Sequence, residues 1–245
     1  MDWWEEGFCD LLARGPRHVI RYDFRDAGQS TSYPPGAPGY SGLDLVADAV
    51  GLLDAVGVEA AHVAGVSMGG ALAQRLALEH PDRVASLTLM STSPIGPGVP
   101  ELPPPSEALA DPPPEPDWAD RDAVIGYVIA GARAYAGSLA FDEERVRGVA
   151  ARMVDRTRDV AACMTNHYIA ESGEPVRRRL GDLRAPTLVV HGSEDPLFPL
   201  PHGEALARAI PGARLHVVAG MGHELPPPEA WDEVAEAILG HTAGR

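Results

Sequence analysis

A serine stands between two glycines in Gly65-Val66-Ser67-Met68-Gly69, directly after an apolar run at 61–66 and before a helical pattern that starts near Gly70. Held on so tight a strand-to-helix turn, a serine adopts a strained backbone conformation that pushes its hydroxyl out at the carboxyl end of the strand. Side chains at the flanking glycine positions would collide with neighbouring backbone. The helix beginning beneath the turn presents its positive end, so the Met68 N–H is placed to donate to an oxyanion forming on an attacked carbonyl. A serine hydroxyl is a weak nucleophile and needs a base, which in turn needs an orienting carboxylate. His223, in Gly220-Met221-Gly222-His223-Glu224, follows a run ending at Val218 and precedes the last helical pattern, and the glycine before it lets the loop approach a sheet edge. The other histidines fit the base less well: His62 lies inside a strand, His80 ends a helix and His191 ends a strand, while His167 falls in a helical region. For the acid, Gly192-Ser193-Glu194-Asp195-Pro196 follows the apolar run at 187–190. Only one of Glu194 and Asp195 can point at His223, and Asp195 is favoured because Pro196 fixes the turn just after it.

Each of these residues needs an element to hold it. Beta-branched or apolar runs at 18–22, 61–66, 84–90, 187–190 and 214–218 predict strands, and helical spacing predicts helices over 43–53, 71–80, 202–210 and 229–239. Nearly continuous apolar strands alternating with helices mean a mostly parallel sheet covered on both faces. Between the two halves of this pattern, ten prolines crowd into 94–116, a stretch that cannot continue a helix or a central strand and reads as a linker. Beyond it, patterns at 124–135, 146–154 and 160–170 predict helices only. The expected organisation is therefore a first core part over 1–96, a helical cap inserted over 97–180 and a second core part over 181–245. Ser67, Asp195 and His223 then each lie beyond the carboxyl end of a predicted strand.

Composition narrows the partners. Of 245 residues 45% are hydrophobic, enough for a real core, and 35 acidic residues against 20 basic ones, all arginine, leave a net charge of −15. So acidic a chain is unsuited to following a nucleic-acid backbone or an anionic membrane, and neither is expected as a partner. Cys9 and Cys163 lie far apart with no metal-ligand spacing, which fits a reducing, cytoplasmic compartment with no disulfide framework and no metal. The opening MDWWEEGFCDLLARG carries acids where a secretory signal carries a basic flank, and no run approaches the roughly 18 apolar residues of a membrane span.

The quoted motifs resemble the α/β-hydrolase superfamily over nearly the whole chain. Arg21-Tyr22-Asp23-Phe24-Arg25-Asp26-Ala27-Gly28-Gln29-Ser30 resembles its Y-D-x-R-G-x-G-x-S loop, residues 61–70 its nucleophile elbow, residues 191–199 its acid loop, and Gly220-Met221-Gly222-His223 its histidine loop. The order Ser67, Asp195, His223 is also that family's order. Asp26 in place of the usual glycine, with Pro-Leu-x-His-Gly-Glu-Ala-Leu-Ala at 199–207, is similar to the aclacinomycin methylesterase group. The resemblance implies an α/β-hydrolase fold with a helical cap, acting without cofactor on a small-molecule carboxylic ester, with a methyl ester of a bulky aromatic acid as one candidate. Ser67 would be the nucleophile, His223 the base and Asp195 its orienter, with Trp118, Tyr127, Tyr135, His167 and Tyr168 as candidates to line the pocket. Cofactor-free haloperoxidases and C–C bond hydrolases share the triad and stay open as alternatives, as does a binding module without turnover.

The chain departs from the family at its start. There, a first strand pair and a strand leading into a His-Gly oxyanion loop precede the part corresponding to Trp3-Trp4, where this sequence begins. The expectation is a sheet lacking its first strands, open between 18–22 and 61–66 and short of one oxyanion donor, so that either Met1 is not the start of the fully active form or the chain is a compromised hydrolase; the alternative is that 18–22 and 61–66 pair directly and another N–H replaces the lost donor.

Overall fold

The apolar runs Ala61–Val66 (β1), Val84–Met90 (β2), Thr187–Gly192 (β3) and Arg214–Val218 (β4) pair side by side as one parallel sheet, in that order, in the computed structural model, which describes residues 1–15 and 17–243. In register, Val63 lies opposite Leu87, Leu89 opposite Val189, and Val190 opposite His216. The helices are Glu6–Leu12 (α1), Gly42–Ala55 (α2), Met68–Glu79 (α3), Arg121–Tyr135 (α4), Glu143–Arg156 (α5), Val160–Ile169 (α6), Pro201–Ala209 (α7) and Trp231–Thr242 (α8). Among the described residues no helix is long and apolar enough to cross a membrane.

One predicted strand is absent. Residues 18–22 form no ladder, and Val19 and Ile20 are 39% and 48% exposed. A β-branched run becomes a strand only where a neighbouring strand takes up its N–H and C=O groups in a ladder, and these residues join no described sheet. β1 is accordingly an edge strand whose partner in the sheet is β2.

The chain divides into two compact units. The sheet unit comprises Val46–Leu109, Tyr135–Leu139 and Glu174–Arg245. Its core is a cluster in which Leu87 and Leu89 of β2 and Val189 of β3 meet Ala73, Leu76 and Ala77 of α3 and Leu206 of α7. Leu87, Leu89, Val189 and Leu206 are wholly buried, each contributing about 1.5–3 kcal/mol by leaving water. This packing holds the carboxyl ends of β1 and β3, where the functional loops begin, in fixed relation.

The helical unit comprises Met1–Leu45, Ala110–Ala134 and Ala140–Gly173. Val124, Ile125, Val128 and Ile129 of α4 recur at helical spacing and pack against Val146, Ala150 and Met153 of α5. α5 and α6 are capped by Asp142 and Asp159, whose carboxylates accept the N–H groups of Arg145 (3.0 Å) and Ala162 (2.9 Å). Asp26, buried at φ 65°, occupies a left-handed position that usually favours glycine. Its carboxylate accepts the Tyr33 N–H (2.6 Å), which closes its own loop, and an Asn166 Nδ2 hydrogen (2.9 Å), which ties that loop to α6.

Close by in sequence, Asp23 receives two hydrogen bonds from the Arg156 guanidinium, at 2.5 and 2.7 Å, and Arg156 also binds Asp2 at 2.6 and 3.2 Å. Burial alone would raise the Asp23 carboxyl, but Arg156 and the Met1 ammonium 2.9 Å away outweigh it and hold it at about 2. A carboxyl depressed from 3.8 stabilises the folded chain above its unfolded value and loses that contribution as pH falls through about 2. The pair is expected to contribute ~2 kcal/mol near neutrality. Urea unfolding of Asp23→Asn should be weaker than wild type by about that amount at pH 7, with the gap closing between pH 4 and 2. A gap that stays constant across this window would contradict the assignment.

Candidate active site

The turn that carries Ser67 is strained as its sequence predicts: Ser67 has φ 51° and ψ −119°, outside the regions open to most side chains. The fold enforces this conformation from several sides. The Ser67 N–H donates to Met90 O of β2 (3.0 Å), and the Thr92 hydroxyl donates to Ser67 O (2.8 Å). A Cβ on Gly65 would strike the Gly69 carbonyl, and one on Gly70 would lie 2.6 Å from Thr92 Cγ2. At Gly69 there is open space, so the expectation of a collision at both flanking glycines holds at Gly65 only, and Gly70 is the second constrained position. The reason is that Gly69 already lies in the first turn of α3, where Cβ points outward, whereas Gly70 packs under the loop after β2.

α3 begins at Met68, immediately after the serine, so the Met68 N–H has no carbonyl of its own helix to bind and stands at the positive helix end beside Ser67.

His223 joins the other two residues. Its Nε2 lies 2.9 Å from Ser67 Oγ and its Nδ1 2.9 Å from Asp195 Oδ2. An ionised carboxylate only accepts, so Nδ1 carries the proton and Nε2 offers its lone pair to the serine hydroxyl. The imidazole and the carboxylate are almost wholly buried, with side-chain exposures of 8% and 0%. Asp195 Oδ1 accepts the N–H groups of Leu197 (2.9 Å) and Phe198 (2.7 Å). Pro196 has no N–H to offer, and its fixed φ turns the next two amides back onto the carboxylate. All three residues belong to the sheet unit.

Phe198, the pocket candidate Tyr135 and His191 complete the surroundings. The Phe198 ring meets His223 edge-on, centroids 5.3 Å apart, and the Tyr135 ring lies 5.6 Å away. His223 N–H donates to Tyr135 O (2.8 Å). Beneath the acid loop, buried His191 donates from Nε2 to Phe198 O (2.7 Å), and burial pushes its pKa down, so it acts as a neutral donor. Aspartate followed by proline and an aromatic residue is the signal that could have marked Phe198; nothing near Tyr135 in sequence points to His223.

Of the five candidate pocket residues, Tyr135 alone is in the sheet unit. Trp118 and Tyr127 pack edge to face at 5.6 Å in the helical unit, and His167 stands between the rings of Phe24 and Tyr40 at 6.2 and 6.0 Å, its pKa lowered by burial. Tyr168 is 82% exposed. Glu194, the second candidate for the acid, turns its carboxylate to Ser138 and away from the imidazole.

The model of the alpha/beta hydrolase family matches residues 2–237. Rhodomycin D methylesterase DauP of Streptomyces sp. (strain C5) is 31% identical over 98% of this chain and 86% of its own length. The 2-hydroxymuconate semialdehyde hydrolase of Pseudomonas putida is 31% identical over 84% of this chain and 70% of its own. A crystal structure of a hydrolase from Pseudomonas aeruginosa superimposes with a TM-score of 0.70 at 29% identity, covering 98% of this chain and 84% of that one. Matched across nearly its full length in sequence and in fold, the chain belongs to the alpha/beta hydrolase family.

Proposed function

We infer that the chain hydrolyses a carboxylic ester through Ser67, His223 and Asp195, without a cofactor. The observation that carries this reading is the unbroken series of two 2.9 Å contacts from Ser67 Oγ through His223 to Asp195, based on a serine held at positive φ. In the first half-reaction Ser67 Oγ attacks the ester carbonyl while its proton passes to His223 Nε2, and the Met68 N–H stabilises the oxyanion. The tetrahedral intermediate collapses as His223 returns the proton to the leaving alcohol, giving an acyl-serine. Water, deprotonated by the same imidazole, then releases the acid and restores the hydroxyl. Asp195 accepts from Nδ1 throughout and stabilises the imidazolium formed in each half.

An acid with flat apolar surface and a small alcohol is the substrate class we favour. The Tyr135 and Phe198 rings beside His223 support it, as does the likeness to the rhodomycin D methylesterases over 98% of this chain. A second reading, cleavage of a C–C bond on the same triad, draws on the likeness to 2-hydroxymuconate semialdehyde hydrolase and 2-hydroxy-6-oxo-6-phenylhexa-2,4-dienoate hydrolases. Turnover of four compounds separates them: the methyl ester of a fused-ring aromatic acid, the methyl ester of a small aliphatic acid, p-nitrophenyl acetate, and a 2-hydroxy-6-oxodienoate. We expect methanol release from the ring ester with a kcat/KM at least ~10-fold above that for other methyl esters of small aliphatic acids, a gain of about 1.4 kcal/mol in transition-state binding. Faster fission of the dienoate than of any ester would favour the second reading, and turnover that requires halide and peroxide would contradict both.

A further inference from the structure

Helix α4 ends at Tyr135, and the next four residues, Ala136 to Leu139, run across the loops that carry Asp195 and His223. Main-chain bonds fasten the two ends of this segment to the histidine loop. Tyr135 O accepts the His223 N–H at 2.8 Å, and the Leu139 N–H donates to Gly220 O at 3.1 Å. Between these ends both oxygens of Glu194 accept from Ser138, one from its N–H and one from its hydroxyl, each at 2.8 Å. Glu194 is also bound to the histidine loop directly, through its own N–H to Met221 O at 3.1 Å. Three glycines let the segments meet backbone to backbone. A Cβ on Gly137 would lie 2.8 Å from Gly222 N, one on Gly222 would strike Tyr135 O, and one on Gly192 would lie 2.6 Å from the Met221 carbonyl carbon.

We propose that Glu194 is a positioning residue: with Ser138 it straps residues 135–139 across the acid and histidine loops and so fixes His223 between Asp195 and Ser67. The proposal rests on the triad reading above. The Glu194 side chain stands next to the orienting carboxylate, and its carboxylate acts on the imidazole through Ser138 and the Tyr135 carbonyl. Remove its carboxylate, and the Ser138 N–H and hydroxyl turn to water. Residues 135–139 are then held to the histidine loop by their two terminal bonds alone, and they lose their tie to the acid loop, whose own Glu194 N–H bond to Met221 O remains. A looser imidazole spends less time in line with both partners, which slows the chemical step without changing how substrate is bound.

The test compares wild type, Glu194→Ala, Glu194→Gln, Ser138→Ala and the double variant. The readouts are kcat and KM on p-nitrophenyl acetate, the rate of labelling by a fluorophosphonate ester, and the melting temperature. Glu194→Ala should lower kcat and the labelling rate roughly tenfold with KM unchanged within about twofold. Glu194→Gln should recover most of the rate, because its amide oxygen accepts the Ser138 N–H and its NH2 donates to the Ser138 hydroxyl. Ser138→Ala should cost less than Glu194→Ala because it keeps the N–H bond, and the double variant should be no slower than Glu194→Ala, which already lacks both bonds. Labelling of Glu194→Ala at the wild-type rate, a Gln variant as slow as the Ala variant, or a loss confined to KM would each overturn the strap while leaving the triad in place. A wild-type chain that takes up no probe would instead contradict the triad reading, and the strap with it.

Discussion

Replacing Ser67 by alanine is expected to abolish ester hydrolysis while the chain stays folded. The hydroxyl contributes the bond-forming atom of the first half-reaction, and without it Nε2 of His223 could only activate water weakly. Because triad members act as a unit, the loss should be on the order of 10⁴–10⁶ in kcat, with KM little changed. Stability should not fall. Ser67 is strained at φ 51°, and its side chain makes one hydrogen bond, to His223. Removing that oxygen leaves the Ser67 N–H bond to Met90 O and the Thr92 bond to Ser67 O in place. Turnover of p-nitrophenyl acetate by Ser67→Ala within tenfold of wild type would assign the chemistry elsewhere.

Asp195→Asn should be nearly as damaging, by a different route. The asparagine keeps an oxygen for the Leu197 and Phe198 amides, so the acid loop retains its shape. Its Nδ2 then faces His223 Nδ1 and can only donate, so Nδ1 must become the acceptor and the ring proton moves to Nε2. Ser67 Oγ then faces an N–H in place of a lone pair, and proton abstraction fails. The expected loss is about 10³–10⁴ in kcat with the melting temperature within a few degrees of wild type. If Asp195→Asn were almost fully active, Glu194 would have to be reconsidered as the orienter.

The juxtaposition of Ser67, His223 and Asp195 was legible in the sequence because each needs an unusual local backbone, and unusual backbone leaves a local signature. Gly-x-Ser-x-Gly marks the elbow, glycine before His223 marks the close approach of its loop, and Asp-Pro marks the turn that folds amides onto Asp195. The ends of the four strands that pair were readable to within two residues, although only β2 and β3 are buried along almost their whole length. What escaped depends on partners distant in sequence. Residues 18–22 have the composition of a strand, but pairing is a property of two segments, and the run stays exposed. α1 has seven residues, too few to show a period. Gly70, and not Gly69, is constrained because Thr92 lies over it. Ser138 and Glu194 stand 56 residues apart, and Asp26 and Asn166 stand 140 apart, so no window of sequence shows either bond.

Activation of Ser67 is the central claim, and covalent trapping asks about it most directly. Incubated with a fluorophosphonate ester, the wild-type chain should gain the mass of one phosphonyl group. Arginines at 25 and 75 bracket the serine, so trypsin should release the adduct on the peptide spanning 26–75, with fragmentation locating it at Ser67. Ser67→Ala should take up none, and Asp195→Asn should react slower by orders of magnitude. An unlabelled wild-type chain, or a label on any other residue, would contradict the account.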